Sequence, residues 1–259
     1  MKDIQNSFDT RNINIDKVGI KDIKYPIILM DKNKGYQHTI ASIDMFVRLP
    51  HQFKGTHMSR FIEILNNHRE NINNDTITSM LVNMKSKLNS NSAHISLSFP
   101  YFIEKEAPVS KEKSLMGFSC KYIASDIDGT HDFITVVKVP VLSLCPCSKE
   151  ISAFGAHNQR GMVVIKIRHK KMVWIEELVD IAETSSSAPT YSLLKRSDEK
   201  YITEFAYNNP TFVEDIVRNA AVKLNNDNRI TWFYVSCENI ESIHNHSAYA
   251  VVEKDKLAN

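Results

Sequence analysis

The hydrophobic period of this chain switches from two residues to about 3.6 and back again, and it does so twice. An alternating stretch buries one face of a strand, whereas a 3.6-residue period buries one stripe of a helix. The order of the switches therefore restricts the architecture more than any single motif. After a polar arm over residues 1–16, Val18–Leu29 is an apolar-rich strand, Lys32–Gly35 a turn signal, and Gln37–Leu49 the return strand. Helices follow at His57–His68 and Thr76–Leu88. In the second, Ile77, Met80, Leu81, Met84 and Leu88 recur at helical spacing, with Asn74 or Asp75 as its cap. His94–Phe99 alternates polar and apolar, and Leu115–Ala124 follows as its partner.

After a turn at Asp126–Gly129 the order recurs: strands at Phe133–Leu144 and Met162–Arg168, and helices at Val173–Glu183 and Thr211–Leu224. The second of these helices shows an apolar face of Val213, Ile216, Val217, Ala220, Ala221 and Leu224, with Pro210 in its first turn. Strands at Thr231–Glu238 and Ala248–Glu253 close the pattern. The expectation is an α+β fold of two tandem ββααββ modules, residues 1–126 and 127–259, with antiparallel sheets and helices on one face. The second module carries most of the reactive side chains.

Composition removes several classes of function. A chain of 259 residues can bury a sizeable core. A net charge of +2 gives no global field for nucleic acid or an anionic membrane, and the basic residues form no aromatic-interleaved stripe. Seven glycines leave no Gly-rich phosphate loop. No apolar run approaches the roughly 18 residues of a membrane span, and the first 16 residues lack the apolar stretch of a signal peptide, so the expected location is cytoplasmic. Four cysteines in a reducing compartment act as buried side chains, ligands or catalysts, and Cys145 and Cys147 flank Pro146 too closely for an easy disulfide.

The reactive residues fall in clusters. Cys145-Pro146-Cys147 ends a strand, and His157 follows within a dozen residues, which is half of a metal site or simply two buried thiols and a surface imidazole. Asp198-Glu199 offers a carboxylate in a polar segment between two helices, as a further ligand or as a solvated charge. Glu238, Glu241, His244 and His246 gather titratable groups suited to proton transfer or metal binding. Glu214 opens the last helix, where it pairs with Arg218 one turn on or holds the N–H and amino edge of a guanine. On the residues alone the pairing with Arg218 is favoured. Lys54-Gly55-Thr56-His57-Met58-Ser59-Arg60 leads a glycine loop into a helix N-terminus, where backbone donors and basic side chains suit a phosphate chain. Lys195-Arg196 is a second basic pair.

Six segments in order, KGTHMSRF (54–61), LCPCSKEIS (144–152), GAHNQRG (155–161), LLKRSDEKY (193–201), PTFVEDIVR (210–218) and ENIESIHNHSAYA (238–250), resemble the signature segments of the GTP cyclohydrolase type IB family. Asp3-Ile4-Gln5 and Val18-Gly19-Ile20 match it too, so the resemblance runs from about residue 3 to 253. It implies a tunnelling fold, usually a homotetramer with sites near subunit interfaces. It also implies conversion of GTP and water to 7,8-dihydroneopterin triphosphate and formate, or, in an archaeal branch, a cyclic phosphate product. By the same resemblance Cys145, His157 and Glu199 match the metal ligands and Glu214 the guanine anchor. Glu241 and His244 match catalytic positions, with Cys147 and His246 beside them. The implied cofactor is a divalent metal, Mn²⁺, Fe²⁺ or Zn²⁺. Contacts of Lys54, His57, Arg60 and Lys195 with the triphosphate rest on charge alone. In the implied mechanism, metal-activated water attacks C8 while His244, oriented by Glu241, moves protons. Two other readings stand beside this one: a pterin- or purine-binding protein of the same fold without activity, and a closed, four-coordinate structural zinc site built on Cys145, Cys147, His157 and another ligand.

Overall fold

The computed structural model of the chain describes residue 5 and residues 7–258. Positions 1–4 and 6 of the expected polar arm, with the matched Asp3 and Ile4, lie outside the described residues, as does Asn259. The chain forms two compact units, Met1–Pro100 with Lys121–Thr135, and Tyr101–Cys120 with Val136–Asn259.

In the first unit, β1 (Ile15–Asp31) and β2 (Gly35–Leu49) form an antiparallel hairpin in which Asp31 faces Gly35 and Tyr25 faces Ala41. The Asp31 carboxylate closes the turn by accepting the N–H groups of Asn33 and Lys34 at 2.9 and 2.8 Å. Gly35 follows with φ of 81°, a left-handed conformation that glycine adopts without a Cβ penalty. Helices α1 (Met58–His68) and α2 (Asn74–Lys87) pack on one another and come next. The cap of α2 is Asn73 rather than Asn74 or Asp75: its side-chain oxygen accepts the Thr76 N–H at 2.9 Å, so the helix begins at Asn74, two residues before the expected Thr76. Ile77, Met80, Leu81 and Met84 are buried as the spacing predicts, and so are the alternating Ala41, Ile43, Met45 and Val47 of β2.

Strand β3 (Ser92–Glu106) runs beyond the expected end at Phe99. Pro100 withholds only a donor, and its carbonyl accepts the Thr39 hydroxyl at 2.9 Å, so the strand continues through it. β4 (Lys113–Ile127) and β5 (Thr130–Leu144) follow, joined by a two-residue turn in which Asp128 and Gly129 both have positive φ. The strand order in the first unit is β1-β2-β3-β4-β5.

The second unit uses the remaining parts of β3, β4 and β5 and adds α3 (Pro146–Ile151), β6 (Asn158–His169), α4 (Ile175–Glu183), β7 (Ala188–Pro189), α5 (Arg196–Asn208), α6 (Val213–Asn226), β8 (Ile230–Ile240) and β9 (Ser247–Asp255). Its order is β3-β4-β5-β6-β8-β9, with β7 on β5. α6 packs across β8 and against α4, burying Val213, Ile216, Val217, Ala220 and Leu224. The fold is α+β as expected. Further features depart from the sequence reading, which had no counterpart for α3 or β7. The segment between α4 and α6 contains a full helix, α5, and Pro210 stands before the cap of α6, Phe212, instead of in its first turn.

A backbone constraint in β1 gives a direct test. A Cβ built on Gly19 falls 2.0 Å from the Met45 carbonyl oxygen of the paired strand, and backbone cannot yield as a flexible side chain can. Gly19→Ala is expected to cost about 1–3 kcal/mol and to lower the melting temperature in circular dichroism. An unchanged melting curve would show that the close approach of β1 and β2 is not required.

Candidate functional site

Three strands of the second unit bury residues at every second position, and the three buried rows run in phase toward one end of the unit. Along β5 the row is Val139, Val141, Ser143 and then Cys145 just past the strand. Along β6, read backwards, it is Val163, Gly161, Gln159 and then His157. Along β8 it is Val235, Cys237, Asn239 and then Glu241. Each row passes from apolar side chains to buried polar ones and then to a titratable group. β6 and β8 pair with Gly161 opposite Asn239, which sets the rows in register.

The first layer of polar residues is closed by hydrogen bonds. The buried Ser143 hydroxyl lies 3.0 Å from the Thr211 carbonyl, 3.3 Å from Gln159 Nε2 and 3.0 Å from Asn239 Nδ2. Gly161 makes room for this arrangement, since a Cβ there would lie 2.5 Å from Asn239 Oδ1. Thr211 is held in place by its N–H, which donates to the Leu144 carbonyl at 3.1 Å, and by a 2.7 Å hydroxyl contact with Ser187.

Above that layer is a cavity of about 290 Å³, lined by Cys145, His157, Glu214, Glu241, His244 and His246 together with Phe212 and the polar floor. Cys145 caps α3: its sulfur accepts the Ser148 N–H at 3.4 Å, and its own N–H donates to the His157 carbonyl at 3.1 Å. His157 Nδ1 is 3.0 Å from Gln159 Oε1 and 3.9 Å from Glu241 Oε2. The His244 ring meets His157 edge-on at 6.4 Å and stacks on His246 at 5.1 Å. The carboxylate that the sequence assigns to orient His244 therefore stands close to His157.

Glu214 is the second residue of α6 and faces this cavity. Arg218 pairs with Asp215 at 3.7 Å, not with Glu214, which corrects the pairing favoured on sequence. Asp215 also accepts the Phe212 N–H at 3.1 Å as the third-position cap. Glu199 and Lys195 do not line the cavity: Glu199 is exposed on α5, and Lys195 is exposed at its cap. Cys147 is exposed on α3 and also outside the lining. The chemistry of Cys145 and His157 suits a divalent ion, yet among the described residues no three His, Cys, Asp or Glu side chains are gathered to hold one. Lys54, His57 and Arg60 belong to the first unit, where His57 and Arg60 line a shallow depression. The Lys54 and Gly55 N–H groups already donate to the carbonyls of Ser7 and Gln5 at 3.1 and 3.0 Å, so the backbone donors expected to cradle phosphates are committed. Arg60 donates to the Lys87 carbonyl at 2.6 Å.

Ser143, Gln159, Thr211 and Asn239 were not singled out by the sequence. The signal was available in part, because Gln159 is two residues from His157 and Asn239 two from Glu241, on the same strand faces.

A family model described as type I GTP cyclohydrolase folE2 matches residues 1–250. The curated GTP cyclohydrolase FolE2 of Geotalea uraniireducens is 60% identical over 256 residues, covering 99% of this chain and 94% of that one. The FolE2 of Geobacter sulfurreducens is 57% identical and covers 99% of each. Among solved structures, urate oxidase from Bacillus subtilis superposes with a TM-score of 0.54 at 8% identity, covering 93% of this chain and 98% of that one. Uricase from Arthrobacter globiformis gives 0.51 at 7%, covering 92% of each. At such identities these two show a shared tunnelling fold alone.

The start of α5 carries a titration test. Burial opposes ionisation of Asp198, but the Ser110 hydroxyl and the N–H groups of Ser110, Lys195 and Val109 all donate to its carboxylate and hold its pKa well below the usual carboxylate range. A depressed folded pKa contributes stability that is present at neutral pH and lost as pH falls below about 4 toward the folded value. Asp198→Asn is expected to melt at a lower temperature than the parent chain at pH 7, with the gap narrowing as acid is added. A gap that stayed constant down the pH series would contradict this assignment.

Proposed function

We propose that this chain, which belongs to the type I GTP cyclohydrolase FolE2 family, opens the imidazole ring of GTP, releasing formate and forming 7,8-dihydroneopterin triphosphate for folate and pterin biosynthesis. The observation that carries the reading is a single cavity that brings Cys145, His157, Glu241, His244 and His246 together with Glu214. Its volume lies at the lower end of small-molecule sites, so it suits the base of a nucleotide, with the triphosphate extending outside.

Glu214 accepts the ring N–H and amino group of guanine and holds the base while C8 reacts. Phe212, in the same lining, offers an aromatic surface to the purine. A divalent metal, Mn²⁺, Fe²⁺ or Zn²⁺, would be held by Cys145 and His157, with Glu199, which stands outside the cavity of the single chain, as the third ligand in the assembled protein, and would supply a water acidified toward neutral pH. When water has added at C8 the C8–N bond breaks, and the departing nitrogen takes a proton. An imidazole titrates in the range that can give this proton and recover it, and that work is assigned to His244 with His246, which stack on one another in the cavity lining. Glu241 completes the proton-handling group. A second hydration releases C8 as formate, the opened ribose rearranges to a ketone, and the freed amine condenses with that carbonyl, expelling one water, to close the dihydropterin ring.

Glu199, Cys147 and Lys195 are exposed, and so are Phe154 (94%) and Ile151 (85%). This favours a homotetramer in which sites near subunit boundaries are completed between copies, with Lys54, His57, Arg60 and Lys195 toward the triphosphate. Light scattering at working concentration is expected to give the mass of four chains, and a monomer mass would remove this part. The element order supports two tandem ββααββ modules that meet at 126/127. Among the described residues no helix is long and apolar enough to cross a membrane, and a cytoplasmic site of action fits a GTP-consuming enzyme.

The test is formate release from GTP by metal-free protein supplied anaerobically with each metal in turn, with the oxidised pterin read by fluorescence. His244→Ala is expected to lower kcat by about 10²–10⁴-fold. Glu214→Gln is expected to raise KM by roughly 10–100-fold, from the loss of hydrogen bonds to a charged group. A cyclic phosphate product would assign the archaeal-type reaction, and GTP binding without formate under any metal would leave only a binding protein of this fold.

A further inference from the structure

The buried floor of the cavity fixes more than position, because each hydrogen bond made by the Ser143 hydroxyl has only one allowed direction. A serine hydroxyl has one proton and two acceptor lone pairs. The Thr211 carbonyl cannot donate, so the Ser143 proton is spent on it at 3.0 Å. Both lone pairs then receive N–H groups, from Gln159 Nε2 at 3.3 Å and Asn239 Nδ2 at 3.0 Å. This settles how each amide is turned. Asn239 presents Oδ1 to Cys237 Sγ at 3.4 Å. That thiol is a donor throughout the neutral range, since burial, with the neighbouring Glu238 charge, pushes its pKa up to about 12. Gln159 in the same way presents Oε1, an acceptor, to His157 Nδ1 at 3.0 Å.

We infer that Ser143, acting through Gln159, locks His157 in the tautomer that carries its proton on Nδ1 and keeps the lone pair on Nε2. Ser143 and Gln159 are thus positioning residues for His157. The Glu241 carboxylate oxygen, 3.9 Å from the same Nδ1, favours the same proton placement. The reverse tautomer would set a bare Nδ1 against two oxygen acceptors. Turning the Gln159 amide to relieve that clash would take the Ser143 proton and leave the Thr211 carbonyl facing a hydroxyl lone pair at a buried site. Gly161 permits the device, since any Cβ there would push Asn239 Oδ1 aside.

The consequence for reactivity is that Nε2 is the His157 nitrogen available to a metal or to a proton. An outer-shell partner that fixes tautomer and ring orientation in this way is a general feature of imidazole sites. This role for His157 rests on the cyclohydrolase reading, whereas the tautomer itself does not.

The test is nuclear magnetic resonance of metal-free protein labelled with ¹³C,¹⁵N-histidine, at a pH well above the ordinary imidazole range so that the rings are neutral. Correlations between ring nitrogens and ring protons report the tautomer, and His157→Asn identifies the His157 signals by their loss. The unsubstituted chain is expected to show a single Nδ1–H tautomer. Gln159→Leu and Ser143→Ala are expected to yield a mixture of tautomers, while Ser143→Thr, which keeps the hydroxyl, restores the single form. An Nε2–H ring in the unsubstituted chain would overturn the inference without recourse to any variant. A single Nδ1–H ring persisting in folded Gln159→Leu and Ser143→Ala would also overturn it, by showing that the network does not select the tautomer. A failure of formate release would instead count against the cyclohydrolase reading and leave the measured tautomer as it is.

Discussion

The Ser143 hydroxyl is the point on which the second unit's active end depends. It is fully buried and joins three chain segments that are distant in sequence: the end of β5, the start of β6 through Gln159, and the end of β8 through Asn239, with the loop before α6 supplying the Thr211 carbonyl. In a low-dielectric interior an unmade hydrogen bond costs more than a made one contributes. The cluster therefore tolerates one geometry, and that geometry sets the ends of three strands at a fixed separation. Cys145, His157 and Glu241, each two residues beyond a member of the cluster, inherit their positions from it.

A second regularity supports the helices around the cavity. α4, α5 and α6 each begin with a carboxylate at the third helical position that accepts the N–H of the cap residue: Glu177 to Trp174 at 3.0 Å, Asp198 to Lys195 at 2.9 Å and Asp215 to Phe212 at 3.1 Å. The same three helices have no serine, threonine or asparagine cap, so the third-position carboxylate supplies the end of the helix that the cap side chain does not. In α6 this commits Asp215 to the backbone and to Arg218, and it leaves Glu214, one residue earlier, directed to the cavity. Two adjacent acids thus have different fates for a reason rooted in helix geometry.

Much of this could be read from the chain alone. The strand and helix periods located the cores of twelve of the fifteen elements, and α3, β7 and α5 are the three they did not reveal. α5 is the instructive exception. Its buried residues are Asp198 and Ala206, and its large apolar side chains Tyr201 and Phe205 are exposed, stacked on one another at 5.9 Å. A helix held by a buried carboxylate and its donors leaves no amphipathic stripe for periodicity to detect.

Sequence by itself determined which residues are reactive, the faces on which they fall and the family they resemble, because identity and two-residue or 3.6-residue phase are local properties. It also placed Cys145, His157, Glu241, His244 and Glu214 among the candidates that line one cavity. Tertiary structure alone decided that β5, β6 and β8 are neighbours, that their rows end together, and that Ser143, Gln159 and Asn239 share one proton network beneath the site. It also separated Glu199, Cys147 and Lys195 from the cavity lining. Phase tells a strand which side to bury, but strand neighbours and register arise from long-range pairing and packing, and no local pattern encodes them.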